Sequence, residues 1–230
     1  MVCKLRLVTS LALILSVSSL CAEPLTRNEA LQIAEAFAQH RWDATAKNIR
    51  HGLDSAHVEI HTPNVDATQP GTNDASHWTP GASNVGVPYK WGGFDTLESF
   101  DAGIKAGKAA GDLYTPEKRR HGGAAVSAEA VGIDCSGFIS RCWKLPRKYS
   151  TDSLSDICAL LHSPAELKPG DIMNASGGHV ILFAKWLGEE KTRALFYEAE
   201  PFSKVIASEK SIADLQASGF RPMRYRQIRD

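Results

Sequence analysis

The feature that most constrains the fold is a succession of short alternating segments in the last third of the chain. From residue 171 onward, apolar and polar side chains alternate in short runs that turn-forming residues separate. Alternation with period two is typical of β-strands with one buried face. The sequence therefore predicts strands near residues 171–174, 179–187, 194–199, 204–207 and 223–228, with a helix at 212–217.

The first half of the chain shows helical periodicity instead. Apolar side chains between residues 25 and 42 recur at three- and four-residue intervals, and Thr26 with Glu29 forms a capping box. A second helix is expected from Asp95 to the region of Gly111, after a loop rich in proline and glycine. Helices followed by antiparallel strands predict one α+β domain.

The N-terminus has the pattern of an export signal. Two basic residues precede an apolar run over residues 7–17, and small residues lead to a cleavage point after Ala22. The run is too short for a permanent membrane span, so the mature protein is expected to be secreted or periplasmic without stable membrane insertion. Lipidation at Cys21 is the alternative, which Leu20 disfavours because a small residue is usual there.

The charge balance excludes one class of partner. The 230 residues carry 26 basic and 26 acidic side chains, for a formal net charge of zero. A nucleic-acid binder is normally basic, so we expect no nucleic-acid partner. A composition of 43% hydrophobic residues indicates an ordinary globular chain. We expect this chain to be a monomer.

Three cysteines remain after removal of the signal: Cys135, Cys142 and Cys158. An odd number in an oxidising compartment is consistent with one retained reactive thiol and one pair. A helix predicted at 154–161 and another beginning at Cys135 would carry two of them on apolar faces. The sequence therefore predicts a free Cys135 and a Cys142–Cys158 disulfide, with a core position for Cys142 as the alternative.

Cys135 lies where a helix is predicted to begin, because Phe138, Ile139 and Cys142 form an apolar stripe after it. A thiol is nucleophilic as thiolate, which a helix N-terminus and a neighbouring imidazole both stabilise. The first backbone amides of the helix point towards a developing oxyanion. Ser136 and Gly137 are therefore the candidate oxyanion donors.

His179 is the candidate partner of the cysteine. It follows two glycines at the start of a predicted strand and shares its face with Ile181 and Phe183. On the next predicted strand Glu198 and Glu200 share one face, so one of them can lie diagonally across from His179 and orient the ring.

Four blocks of residues, in order, resemble the signature of the NlpC-type (NlpC and p-sixty) cell-wall cysteine peptidases, within the papain-like superfamily. They are Pro88-Tyr89-Lys90-Trp91-Gly92-Gly93, Asp134-Cys135-Ser136-Gly137-Phe138, Lys168-Pro169-Gly170-Asp171 and Gly178-His179-Val180. The resemblance covers about residues 86–200. It implies a papain-like fold in which a cysteine-bearing helix packs on an antiparallel sheet.

The resemblance also implies roles for single residues. Cys135 would be the nucleophile and His179 the general base, with Glu198 in the third position, where the family usually has histidine. Tyr89 would line the site beside the sulfur, and Asp134 and Ser136 would contact the amino end of the substrate.

The chain departs from the family in its organisation. An insertion at about residues 94–131 replaces a short connection and is expected to form a cap or rim of the groove. The N-terminal helix and loop-rich extension, residues 23–85, is too short for the bacterial Src-homology-type domain of many relatives. The catalytic domain is predicted to span residues 86–230.

We therefore expect an exported cysteine peptidase that hydrolyses amide bonds in peptidoglycan stem peptides or muropeptides, as a γ-D-glutamyl-diaminoacid endopeptidase. The alternatives are an N-acetylmuramoyl-L-alanine amidase, another thiol acyltransferase on this fold, or a catalytically silent cell-wall binding module. The bond cleaved, the stem-peptide chemistry and the choice between Glu198 and Glu200 stay open.

Two further clusters have simpler explanations. His57, Glu59 and His61 could share a strand face as metal ligands, but the polar side of a half-buried strand has the same pattern, so no metal or cofactor is expected. The basic run at residues 118–121 is expected to be a solvated loop, with substrate carboxylates as an alternative partner. Trp91 is expected in the core.

Overall fold

The computed structural model describes residues 25–64 and 78–230, so the predicted signal peptide lies outside the described residues. The helices are α1 Arg27–Gln39, α2 Leu97–Lys105, α3 Pro116–His121, α4 Cys135–Cys142, α5 Leu154–Ile157 and α6 Ile212–Ala217. The strands are β1 Arg41–Asp43, β2 His51–Leu53, β3 Glu59–His61, β4 Ser83–Val85, β5 Ala109–Ala110, β6 Ala130–Val131, β7 Cys158–Leu160, β8 Ile172–Asn174, β9 Val180–Trp186, β10 Arg193–Ala199, β11 Val205–Ser211 and β12 Arg221–Tyr225.

A six-stranded antiparallel sheet dominates the second half, in the order β11-β10-β9-β8-β12-β7. The predicted α+β class is thereby confirmed. On one face of β9, Val180 and Leu182 join the core that holds α4, while Ile181 and Phe183 face the other side. This alternation buries both faces of the sheet, so β9 is apolar at nearly every position.

The N-terminal helix begins as its capping box predicts. The amide of Glu29 donates to Thr26 Oγ1 at 3.2 Å, and the Thr26 amide donates back to Glu29 Oε2 at 2.9 Å. Phe37 packs edge-on against Phe138 of α4, with ring centroids 5.9 Å apart. The helix ends at Gln39 rather than at residue 42, because Trp42 lies in β1, which pairs with β4.

Two local predictions were wrong, for different physical reasons. The helix expected over residues 154–161 ends at Ile157, and Cys158 begins the edge strand β7, which pairs with β12. The basic run at 118–121 belongs to helix α3, which Thr115 caps and Pro116 opens. In the first case a distant strand overrides local helical periodicity, and in the second the capping signal was overlooked.

The three described cysteines are free and buried, so the predicted Cys142–Cys158 disulfide is wrong. Cys142 lies on the inner face of α4, whereas Cys158 lies on an edge strand and not on a neighbouring helix. Burial raises the pKa of the Cys142 thiol well above its usual range and that of Cys158 to about 12. Both therefore behave as small apolar core residues.

The turn at residues 168–171 has a structural task. Asp171 is fully buried and accepts hydrogen bonds from Arg27 at 2.9 Å and from Arg224 at 2.7 Å. The turn thus joins α1 to the last strand. Within residues 25–64 and 78–230, no helix combines the length and the apolar character needed to cross a membrane.

Candidate active site

Cys135 is the first residue of α4, as predicted, and its side chain is buried apart from a small exposed fraction. Asp134 caps the helix: its Oδ1 accepts from the Gly137 amide at 2.6 Å and from Ser136 Oγ at 3.0 Å. Its other oxygen pairs with Lys148. Both oxygens of Asp134 are therefore engaged within the chain, and a substrate amine would have to displace Lys148 to reach them.

The start of α4 is held against the segment that carries Tyr89. Tyr89 and Phe94 each form a bridge with Ile133, and a Cβ atom at Gly137 would lie 2.1 Å from the Gly93 carbonyl oxygen. Only glycine allows that approach. The backbone of residues 88–94 thus fixes where the cysteine helix begins.

His179 immediately precedes β9, and its Nε2 lies 2.9 Å from Glu198 Oε2. The β9–β10 register pairs Phe196 with Phe183 and Tyr197 with Leu182, so Glu198 is diagonal to His179. The structure therefore brings Glu198, rather than Glu200, to the imidazole. Glu200 instead accepts from the Phe202 amide at 3.0 Å in the turn that follows.

The electrostatics of this pair favour a charged imidazole. Burial acts to lower the pKa of His179, but the neighbouring Cys135 and the hydrogen bond with Glu198 outweigh it and raise the pKa to about 10. Burial acts to raise the pKa of Glu198, but His179, Lys210 and Ser208 lower it to about 2. At neutral pH the pair is an imidazolium and a carboxylate.

The His179 ring has a hydrogen bond with Glu198 but a looser contact with Cys135. The buried Nδ1 of His179 makes no hydrogen bond of ordinary geometry within the described residues, yet the Cys135 thiol is close enough to raise the pKa of the ring. Nucleophile–base contacts are often long in free enzymes and tighten when substrate binds. Cys135 and His179 are therefore neighbours at the cavity without a hydrogen bond of ordinary geometry between them.

Of the two candidate oxyanion donors, the Ser136 amide stays available and the Gly137 amide does not. The Gly137 amide is taken by Asp134, so Gly137 is not a free donor. The amides of Cys135 and Ser136 make no hydrogen bond within the described part of the chain. A capping aspartate takes the amide three residues later, so the motif itself indicated that the first two amides of the helix stay free.

One cavity, of about 720 Å³, collects most of the predicted residues. Tyr89, Asp134, Cys135, Ser136 and His179 line it, whereas Glu198 lies behind the imidazole. Burial is the main cause that raises the pKa of Tyr89 well above its usual range, and the neighbouring Cys135 adds to it. The side chains brought together are a thiol, an imidazole and a phenol, at a helix N-terminus.

Another part of the cavity lining comes from Trp91, from the insertion and from the turn between β10 and β11, and we call it the insertion wall. The ring centroids of Trp91 and Tyr114 are 5.7 Å apart, and those of Tyr114 and Phe202 are 6.2 Å apart. Trp91 is half-buried: it packs against the main hydrophobic core, as expected, and it also lines the cavity. Its indole nitrogen donates to the Gly122 carbonyl at 3.1 Å, which ties the Tyr89 segment to the insertion.

The four residues of the basic run have separate environments. Lys118 is buried and pairs with the buried Asp112 at 2.8 Å, which anchors α3. Arg120 and His121 both pair with Glu117. Arg119 alone lines the cavity, and it makes no ion pair within the described residues.

The cluster of His57, Glu59 and His61 does not share one strand face. His57 has φ of 60° and lies in a turn, and the strand begins only at Glu59. His61 contacts Glu59 at 3.1 Å. Across the two described stretches of the chain, no three or more histidine, cysteine or acidic side chains are grouped so as to hold a metal ion.

The candidate active site combines groups from the start of α4 and from two neighbouring strands of the sheet. Its main parts are the thiol at the start of α4, the imidazole just before β9, the carboxylate on β10 and the cavity that the thiol and imidazole line. Comparisons with protein-family models, with curated proteins and with solved structures each give no match to this chain.

Proposed function

We propose that this protein is an exported cysteine peptidase with a papain-like, NlpC-type fold, which hydrolyses amide bonds in peptidoglycan stem peptides. The single observation that carries the proposal is the meeting of Cys135, at a helix N-terminus, with the His179–Glu198 pair at one cavity. A thiol in such surroundings is suited to nucleophilic attack.

The four blocks of the resemblance divide into two groups in space. The Tyr89 segment, the Cys135 helix start and the turn before β9 border the cavity, and α4 packs on β9 and β10. The turn at residues 168–171 instead supports the ends of the domain through Asp171. The packing of the cysteine-bearing helix α4 on the antiparallel sheet supports the proposed fold.

The proposed reaction has two halves. The Cys135 thiolate attacks the amide carbonyl, and the free amides of Cys135 and Ser136 stabilise the oxyanion. As the C–N bond breaks, the His179 imidazolium gives its proton to the leaving amine, which leaves a thioester on Cys135. Neutral His179 then takes a proton from water, whose oxygen attacks the thioester, and the acid product leaves with the thiolate restored.

The cavity wall from the insertion supports an acidic substrate. A γ-linked D-glutamyl residue keeps a free α-carboxylate on the same residue whose side-chain carbonyl forms the scissile amide. Arg119 offers a guanidinium in the cavity without an ion pair among the described residues, and a bidentate arginine–carboxylate contact is strong and directional. We therefore favour the γ-D-glutamyl-diaminoacid bond.

Mass spectrometry of products from muropeptides of defined composition tests the proposal. Cleavage at the favoured bond releases a new diaminoacid amine and leaves L-alanyl-D-glutamate on the sugar, whereas an amidase releases the intact peptide from the lactyl group. The matched control is Cys135→Ala, which should give neither product. A silent binding module would give no product and no Cys135-dependent labelling by a thiol-directed electrophile at neutral pH.

A further inference from the structure

Glu198 has more partners than an orienting carboxylate needs. Its Oε2 contacts His179 at 2.9 Å, while its Oε1 accepts from Ser208 Oγ at 2.5 Å and from Lys210 Nζ at 2.7 Å. The carboxylate is 3% exposed. One buried anion therefore lies between an imidazole and an ammonium, with a hydroxyl as third donor.

The second cation reaches Glu198 along the sheet. Ser208 is paired with Phe196 and Lys210 with Ala194 in the β10–β11 register, so both side chains share the face of Glu198. The Lys210 side chain is 35% exposed, so its stem lies on the sheet and its ammonium reaches back to the carboxylate. Glu200, which is half-buried directly after β10, is another charged group near Glu198 and His179.

The two cations differ in when they carry charge. On the proposed function, His179 is charged before it protonates the leaving amine and neutral afterwards. A buried carboxylate that loses its only counter-ion tends to take up a proton, which would disorient the neutral ring. The Lys210 ammonium takes no part in these proton transfers, so it faces Glu198 in both states of the ring.

We propose that Lys210, assisted by Ser208, is a positioning residue that holds Glu198 ionised and oriented while His179 is neutral. The proton moves only between His179 Nδ1 and the leaving amine or water, and the Nε2–H bond to Glu198 persists in both states. This inference rests on the proposed function for its role in turnover, but the charge coupling is a property of the fold.

The first measurement needs no turnover. In a Cys135→Ala background, the His179 imidazole is titrated by NMR with and without Lys210→Met. Loss of the ammonium leaves the full charge of Glu198 facing the ring, so the titration midpoint should rise by about one pH unit. An unchanged or lowered midpoint would overturn the inference whether or not the protein hydrolyses muropeptides.

The second measurement uses the active protein. Lys210→Met should lower kcat by about tenfold, whereas the rate of Cys135 alkylation at pH 7, which needs only the ion pair, should stay within about twofold. Lys210→Arg should restore most of kcat. The matched control is Glu209→Gln, an exposed residue of the same strand that pairs with Arg193 at 3.6 Å, and it should change neither rate.

The outcomes separate the two proposals. An equal loss of kcat and of alkylation in Lys210→Met would indicate a merely structural role and overturn the inference. An unchanged kcat would overturn it as well. Absence of both hydrolysis and Cys135 alkylation in the unmodified protein would instead refute the proposed function, and the imidazole titration would still decide the role of Lys210.

Discussion

The two walls of the cavity are built on different principles. One wall is formed by the start of α4 with β9 and β10, and we call it the sheet wall. There Cys135, His179 and Glu198 are largely buried, and the imidazole and carboxylate are held by hydrogen bonds of ordinary length. On the insertion side, aromatic rings meet at centroid distances near 6 Å, and Arg119 is exposed without an ion pair among the described residues.

On the proposed function, the difference separates reaction from recognition. Catalytic geometry requires rotamers locked by buried hydrogen bonds, which the sheet wall has. A wall of partly exposed rings and one guanidinium adapts to a ligand instead. On the proposed function, changes on the sheet wall should therefore act on kcat, and changes on the insertion wall should act on KM and on substrate preference.

The largest effect is expected at the nucleophile. Cys135→Ser should lower kcat by about 10⁴-fold or more, because a serine hydroxyl is not ionised in a site that stabilises a thiolate. The near-isosteric change should leave the fold intact, which circular dichroism and thermal unfolding of the same sample check. Turnover at the original rate would refute the cysteine-peptidase proposal.

The next effect concerns the carboxylate. Glu198→Gln removes the negative charge that raises the pKa of His179, so the imidazolium becomes easier to deprotonate and the alkaline edge of the rate profile should move downward. Glu198→Ala should cost more, and Glu198→His should retain part of the rate. kcat/KM for the matched Glu200→Ala variant is the control: a larger loss there would reverse the assignment of Glu198.

The same pair should make stability depend on pH. His179 has a pKa of about 10 in the fold against 6.5 ordinarily, so its contribution is complete below pH 6.5 and is lost as the pH rises through 10. We expect the free energy of unfolding to fall by up to about 5 kcal/mol over that interval, at about 1.4 kcal/mol per unit of pKa difference. Urea unfolding at a series of pH values measures it, and Glu198→Gln should flatten the slope. An equally steep slope in that variant would exclude the pair as its cause.

The smallest effect is expected on the insertion wall. Arg119→Gln should lower kcat/KM by about tenfold for a muropeptide with a free D-glutamyl carboxylate and leave the α-amidated form unchanged. Arg120→Gln, whose side chain pairs with Glu117, is the matched control and should change neither. Equal losses on both substrates would show that Arg119 does not recognise the carboxylate.

The sequence predicted best where the signal was local. The start of the cysteine helix, the capping box at Thr26 and the alternation of β9 and β10 depend on residues close together in the chain, and the structure has them. The diagonal placement of Glu198 followed from that alternation once strand pairing was assumed.

The predictions that were wrong depend on distant partners. Cys158 is in a strand because β12 pairs with it, and Lys118 is buried because Asp112 neutralises it. The cation at Lys210 could not be anticipated either, since it depends on the register of β11 against β10. Periodicity describes one segment at a time, whereas these features arise between segments.

The close approach of Gly93 and Gly137 has a consequence for sequence divergence. A side chain at Gly137 would collide with the Gly93 carbonyl, and one at Gly93 would lie 2.5 Å from the Gly132 carbonyl. The two positions, separated by the whole insertion, therefore cannot drift independently. Any homologue that retains this position of Cys135 is expected to keep both glycines, however the segment between them varies in length. On the proposed function, loss of either glycine would accompany loss of activity.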